Sequence, residues 1–284
     1  MTSRRSSRAL GLALLLVYSA YLAGVNVYAR RSIVIPVVLY VPDVLLGEDE
    51  PLLVHAVVLH AATAMPLGDV PLRFVREATA FSRPVDLTAA TDPEGAASVL
   101  IVESAAPTSS PGITDLVGDR IAVMIAPGSP WVLASPWPTR AGEPRRALAE
   151  ITEIRAGMRI LVVDLDGVLG TGSKARSSPS WPPAPPASFV ETVLAESRLG
   201  SRTIYLATLD PALEQRCKRW ISFSGLSDGS LVPLRRDKSR DAELEAFALR
   251  LRSLQATVSF ILAGRGVEAT YTRNFPESAV KAYE

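Results

Sequence analysis

Hydrophobic and polar positions follow two different patterns along the chain. Between residues 32 and 126, short apolar runs rich in Val and Ile alternate with Gly, Pro and Asp, a spacing typical of strands in an antiparallel sandwich. From residue 158 onward, continuous apolar runs are followed by longer segments with helical spacing. Such runs are typical of parallel strands buried on both faces. The pattern therefore predicts an all-β part followed by an α/β part.

Two strings in the β part predict a tight turn between strands. Residues 66–72 read PLGDVPL and residues 91–97 read TDPEGAA; in the second, Asp92 and Pro93 begin the turn and Gly95 can adopt a positive φ. Together the two strings resemble bacterial immunoglobulin-like modules. The resemblance covers roughly 90 residues and implies a module that spaces, binds or positions, with a protein partner that the sequence does not identify.

The amino-terminal segment differs from the rest of the chain. Residues 9–29 carry no charge and have arginines on both sides, and about 20 apolar residues suffice for a helix to cross a bilayer. We expect an uncleaved anchor, the alternative being a cleaved secretory signal. More arginines precede the segment than follow it, which favours a single-pass protein of the bacterial cytoplasmic membrane with an extracytoplasmic body.

These patterns divide the chain into four predicted parts. Residues 1–31 form the anchor or signal, 32–127 an immunoglobulin-like β-sandwich, 128–157 an extended Pro-rich connector, and 158–284 a Rossmann-like α/β domain. The chain of 284 residues is long enough for two domains.

Composition excludes some function classes. A formal net charge of +1 gives no basic field for nucleic acid. The single cysteine, Cys217, excludes an internal disulfide and a cysteine-based metal site. We expect ordinary strand positions for His55 and His60, and a solvated loop for the acidic run that begins at Asp43 and ends at Glu50.

The string RILVVDLDGVL, residues 159–169, carries the strongest chemical signal. Its apolar part predicts a buried parallel strand that delivers Asp164 and Asp166 to a crevice at its carboxyl end. Two adjacent carboxylates repel each other, and a divalent cation would relieve the repulsion. The string resembles the first motif of the haloacid dehalogenase superfamily, which implies Asp164 as the phosphoryl-accepting nucleophile, Asp166 as the acid and base, and bound Mg²⁺.

Three later segments resemble the remaining motifs of that superfamily, in order. Thr208 ends a predicted strand, and the resemblance implies that its hydroxyl holds the phosphoryl oxygens, although Ala207 stands at the usual Thr position. Lys238 precedes a predicted helix, and the resemblance implies that it neutralises the charge of the nucleophile and the phosphate. The resemblance implies that Glu268 is a third metal ligand beside Asp164 and Asp166. In the same motif, Ala263-Gly264 stand where Gly-Asp is usual. Segments around residues 204–206, 219–221 and 225–231 resemble the lipin-like branch.

Two functions are left open by the sequence. The first is a membrane-anchored, Mg²⁺-dependent phosphohydrolase that acts through an aspartyl-phosphate on a phosphorylated small molecule or a lipid phosphate such as phosphatidate. The second is a catalytically degenerate haloacid-dehalogenase-like protein that binds or scaffolds. The altered second and fourth motifs favour the second function, whereas the intact Asp164, Asp166 and Lys238 favour the first.

Overall fold

Strands dominate the computed structural model. It describes residues 17–19, 35–48, 50–76, 84–101, 119–134, 146–169, 181–235 and 238–283. The strands are β1 Ile35–Tyr40, β2 Val44–Gly47, β3 Leu52–His60, β4 Pro71–Arg76, β5 Val85–Ala90, β6 Ala96–Ile101, β7 Asp119–Ile125, β8 Trp131–Leu133, β9 Ala147–Ile154, β10 Arg159–Asp164, β11 Arg202–Thr208, β12 Gly229–Leu234, β13 Thr257–Gly264 and β14 Ala279–Tyr283. The helices are α1 Asp166–Leu169, α2 Ala187–Ser197, α3 Pro211–Phe223, α4 Arg240–Ser253 and α5 Glu268–Asn274.

Two sheets face each other in the first half. A four-stranded sheet has the order β6-β3-β1-β8, and a mixed sheet has the order β2-β9-β7-β4-β5. Alternate residues of β3 point inward, with Leu52, Val54, Ala56 and Val58 buried, because side chains of a strand point to opposite faces in turn. They pack against Leu72, Phe74 and Ile121, among others, in one apolar core.

The turn predicted around Gly95 is present. Gly95 has a φ of 75°, and its carbonyl accepts a 2.8 Å hydrogen bond from the amide of Val58. A Cβ at Gly95 would lie 2.6 Å from the carbonyl oxygen of Val58, so both the backbone conformation and the close approach favour glycine here.

A parallel sheet forms the second half. Its order is β12-β11-β10-β13-β14, and every pair of neighbours is parallel. One face packs against α4 and α5, the other against α2 and α3. The central strand β10 is buried from Ile160 to Asp164 because both of its faces are covered.

The predicted fold class, a haloacid-dehalogenase-type α/β domain with a separate immunoglobulin-like sandwich and a transmembrane helix, is wrong for the protein as a whole. The described residues are mostly β, with fourteen strands against five helices. Part of the reason lies in residues 128–157, which were expected to be an extended connector. Strands β8 and β9 lie there and belong to the two sandwich sheets. The prolines of SPWVLASPWP suggested a linker, yet both strands find hydrogen-bonding partners in distant parts of the chain.

The predicted single-pass membrane location is also corrected. In the ranges that the structure describes, no helix combines the length and the apolar character needed to span a bilayer. Apart from residues 17–19, the segment 9–29 lies outside those ranges. Residues 170–180, which follow α1, and Asp49 of the acidic run also lie outside the described ranges.

Candidate functional site

Polar side chains converge where the parallel strands end. Asp164 is the last residue of β10, Thr208 the last of β11 and Gly264 the last of β13. The chain passes from β10 to β11 and β12 on one side, then returns to β13 on the other. Crevices at such reversals, outside the carboxyl ends of the strands, are the usual binding sites of open α/β sheets. We therefore treat this edge as the candidate site.

Asp164 and Asp166 form a buried acidic pair. They are 1% and 4% exposed, and the carboxylate Oδ1 of Asp164 accepts a 3.0 Å hydrogen bond from the amide of Asp166. Burial raises the pKa of Asp164 and the charge of Asp166 raises it further, while Arg240 opposes both. Two adjacent buried carboxylates need a positive charge nearby to remain ionised.

That positive charge comes from Arg240, the first residue of α4. Its Nη2 donates to Asp164 Oδ2 at 2.5 Å and its Nη1 to Asp166 Oδ2 at 2.6 Å. One guanidinium thus bridges both acids with a nitrogen for each, which are charge-assisted hydrogen bonds. Ser239 caps the helix by accepting a 3.2 Å hydrogen bond from the amide of Ala242. The cap fixes the start of the helix and so the position of Arg240.

Thr208 completes the polar surroundings of Asp166. The Thr208 amide donates to Asp166 Oδ1 at 2.8 Å, and the Thr208 hydroxyl donates to Asp166 Oδ2 at 2.7 Å. The hydroxyl expected to hold phosphoryl oxygens is therefore directed at a carboxylate of the protein. Ala207, which stands at the usual Thr position, is fully buried.

Two tyrosines enclose the cluster. Tyr271 of α5 accepts a 3.1 Å hydrogen bond from Arg240 Nη2, and the guanidinium carbon lies 5.8 Å from the centroid of its ring. Tyr283 of β14 donates a 2.7 Å hydrogen bond to the main-chain oxygen of Asp164. Its ring leaves no room beside Gly167, where a Cβ would lie 2.6 Å from the hydroxyl.

Lys238 and Glu268 are the other two predicted site residues. Lys238 is half-exposed, and its Nζ lies 3.6 Å from Glu243 Oε1. Glu268 is half-buried at the start of α5. Among the residues that the structure describes, no group of three or more His, Cys, Asp or Glu is arranged to hold a metal ion. The structure thus unites Asp164, Asp166 and Thr208, and places Lys238 in an ion pair of its own.

The fit of Mg²⁺ to this cluster is poor. Each of the four carboxylate oxygens of Asp164 and Asp166 already accepts a hydrogen bond from Asp166, Thr208 or Arg240. Mg²⁺ requires octahedral oxygen ligands at about 2.0–2.1 Å, and the guanidinium nitrogens occupy that side of both acids. Mg²⁺ could bind between the two carboxylates only if it displaced Arg240.

Sequence reasoning missed Arg240, Tyr271 and Tyr283. Arg240 stands two residues after Lys238, so the signal available was a second cation at the start of the same helix. The tyrosines gave no signal, because a tyrosine in an apolar segment is usually a core residue.

Comparison with known proteins does not assign the chain to a family. No family model matches the sequence. No curated protein matches it either. Among solved structures, the chain is similar to ferredoxin-NADP+ reductase from Plasmodium falciparum at 10% identity and a TM-score of 0.23, over 86% of this chain and 95% of that one. A point mutant of the same reductase with 2'P-AMP gives 10% identity and a TM-score of 0.21 over the same shares. Scores this low carry no argument about fold or function.

These findings correct the resemblance drawn from the motifs. No family model matches, so neither the haloacid dehalogenase superfamily with its lipin-like branch nor the immunoglobulin-like module is supported by one, and no curated protein supports them either. The phosphohydrolase prediction and its degenerate alternative therefore lose their basis. The predicted partners, namely a phosphorylated ligand, the membrane through residues 9–29, and no nucleic acid, stay predictions.

Proposed function

We propose that this protein is not an enzyme at its acidic crevice, and that Asp164, Asp166 and Arg240 form a structural ion-pair network. The observation that carries the proposal is the bridging of both carboxylates by one guanidinium at 2.5 and 2.6 Å. An arginine remains protonated at any working pH, so this neutralising charge is permanent.

The geometry disfavours nucleophilic attack by Asp164. A carboxylate nucleophile needs one oxygen free to approach the reacting atom. In Asp164, Oδ1 faces the Asp166 amide and Oδ2 faces Arg240. An incoming phosphoryl group would have to displace the Arg240 guanidinium from Asp164, and Arg240 would then keep only its contact with Asp166.

The same contacts have a clear structural use. The carboxylate contacts join the ends of β10 and β11 to the starts of α1 and α4. The hydrogen bonds of Tyr271 and Tyr283 connect α5 and β14 to the same network. A buried ion pair contributes little net stability over an apolar packing, but removal of one partner typically costs about 3–5 kcal/mol. We conclude that the network holds the edge of the parallel sheet in one arrangement.

A calorimetric and kinetic experiment on the full chain tests this function. Wild type, Arg240→Ala and Asp164→Asn are titrated with Mg²⁺ and assayed for hydrolysis of a generic aryl phosphate. We expect no heat of Mg²⁺ binding and no turnover from folded wild type, and a lower melting temperature in Arg240→Ala. Mg²⁺-dependent turnover by wild type that disappears in Asp164→Asn would overturn the proposal.

A further inference from the structure

A second buried charge cluster joins the sandwich to the parallel sheet. Its centre is Lys218 of α3, whose Nζ donates to the main-chain oxygens of Val41 at 2.7 Å and Leu148 at 3.2 Å. The same Nζ lies 2.5 Å from Asp43 Oδ1 and 2.8 Å from Glu214 Oε1. Asp43 was expected in a solvated loop. Its side chain is 2% exposed, because residues far along the chain cover it.

Asp43 is saturated with donors from both halves. Its Oδ1 also accepts from the amide of Glu150 in β9 at 2.7 Å, and its Oδ2 accepts from the amide of Leu231 in β12 at 2.7 Å. Two main-chain amides and the Lys218 ammonium therefore converge on this one carboxylate. Asp43 is thus the first carboxylate against the Lys218 ammonium.

Glu214 is a second carboxylate against the same ammonium. Its side chain is fully buried. It faces Tyr40 of β1, Asp43 after β1 and Lys218 on its own helix, and the charge of Arg235, after β12, also acts on Tyr40. Nearby on β9, Glu150 faces Asp43 and lies 3.8 Å from Arg120. One ammonium can neutralise only one of Asp43 and Glu214, so an ionised Glu214 leaves a net negative charge in the buried joint.

We infer that the protonation state of Glu214 sets how tightly the sandwich is held against the parallel sheet. With a neutral Glu214, Asp43 and Lys218 balance each other and the amides of Glu150 and Leu231 stay bonded to Asp43. With an ionised Glu214, two buried carboxylates compete for Lys218, and separation of the two halves lets water reach them.

The direction of the pH dependence follows from the burial. Burial raises the pKa of Glu214 to about 7, with Lys218 opposing and Asp43 adding to the shift. Burial and Asp43 likewise raise the pKa of Glu150 to about 7 against the effect of Arg120. An acid whose pKa is higher in the closed joint favours closure below its ordinary pKa, and that advantage is lost as pH rises towards 7. The joint is therefore tightest in mild acid and loosest from about pH 7 upward.

Two further contacts across the joint contain no group that titrates between pH 5 and pH 8. Thr152 Oγ1 and Ser230 Oγ lie 2.5 Å apart, and Arg250 forms an ion pair with Glu50. Burial is slight at Glu50, and hydrogen bonds from Arg250 and the Gly47 amide lower its pKa to about 2. These two contacts should therefore be unchanged from pH 5 to pH 8, and we attribute the pH response to the cluster around Lys218.

Hydrogen exchange of the full chain tests the inference. The amides of Glu150 and Leu231, both bonded to Asp43, are followed from pH 5 to pH 8 after correction for the intrinsic exchange rates. In wild type we expect their protection to fall by a factor on the order of 10 to 100. In Glu214→Gln we expect the part of that dependence that Glu214 contributes to disappear and the part that Glu150 contributes to remain, whereas the exposed Glu277→Gln should behave as wild type.

Two results would overturn the inference. The first is constant protection of both amides in wild type from pH 5 to pH 8. This measurement uses wild type alone and does not depend on whether a variant folds. The second is a Glu214→Gln protein with the same pH profile as wild type.

Discussion

The hydroxyl of Tyr283 donates a 2.7 Å hydrogen bond to the main-chain oxygen of Asp164 across 119 residues of sequence. This bond ties edge strand β14 to the end of central strand β10, past the intervening β13. Burial raises the pKa of the Tyr283 phenol, which keeps it a donor over the whole working pH range.

Replacement of Tyr283 by Phe should remove this tie with little change in packing. We expect a loss of about 1 kcal/mol in the free energy of unfolding, because the Asp164 carbonyl then lacks its donor. Urea denaturation of wild type and Tyr283→Phe measures the difference. Equal stability of the two proteins would show that the bond contributes nothing.

Replacement of Arg240 by Ala should be much more damaging. The loss should be about 3–5 kcal/mol at pH 7, because two buried carboxylates lose their shared cation. It should shrink in acid as Asp164 becomes protonated. Chemical denaturation at pH 7 and pH 4 tests both statements, with Arg273→Ala, whose side chain is 70% exposed, as the control that should change little. A loss that is the same at both pH values would contradict the electrostatic explanation.

Replacement of Gly167 by Ala should push Tyr283 away. The new methyl group would lie 2.6 Å from the hydroxyl and 3.0 Å from the ring, and such overpacking costs about 1–3 kcal/mol. A double-mutant cycle with Tyr283→Ala isolates the contact. We expect Gly167→Ala to cost little once the ring is absent, and strictly additive costs would refute the clash.

Replacement of Thr91 by Val should weaken the sandwich. The buried hydroxyl accepts from the Val70 amide at 2.9 Å and donates to the Leu67 oxygen at 2.6 Å. A methyl group leaves both main-chain groups without this partner, at a cost of about 1–3 kcal/mol. Thermal denaturation beside Thr88→Val, an exposed position on β5, provides the comparison. Similar melting temperatures for the two variants would contradict a special role for Thr91.

Global stability should fall as pH rises from about 5 to 7. Glu150 and Glu214 have an ordinary pKa of 4.5 and a folded pKa of about 7, so in this window the folded state holds protons that the unfolded state releases. For Glu214 the effect is on the order of 3 kcal/mol. Urea denaturation at several pH values should show a smaller slope in Glu214→Gln than in wild type. A stability that rises over this window would contradict both assignments.

Local structure was well predicted where one short segment decides it. The apolar run after Arg159 forms β10, and the turn at Gly95 has the expected positive φ. Both depend on side-chain burial and backbone sterics within a few residues. Thr208 likewise reached the site, since the carboxyl ends of β10 and β11 meet at one edge.

Contacts between distant segments could not be predicted in the same way. The sequence offered Lys238 and Arg240 as neighbouring cations, and only the helix cap at Ser239 and the position of α4 decide that Arg240 reaches the acids. Asp43 resembled a loop residue because its partners Glu150, Lys218 and Leu231 lie more than 100 residues away. The composition of residues 128–157 likewise gave no indication that β9 pairs with β2 and β7.

Strand β9 belongs to two cores at once. Ala147, Ala149 and Ile151 pack inside the sandwich, whereas Ile154 packs under the parallel sheet with Ile160 and Leu254. Heat or denaturant that melts either core must therefore pull the same strand out of the other. The chain should unfold in a single cooperative transition, and a cut by a protease between residues 154 and 159 should release no stable half.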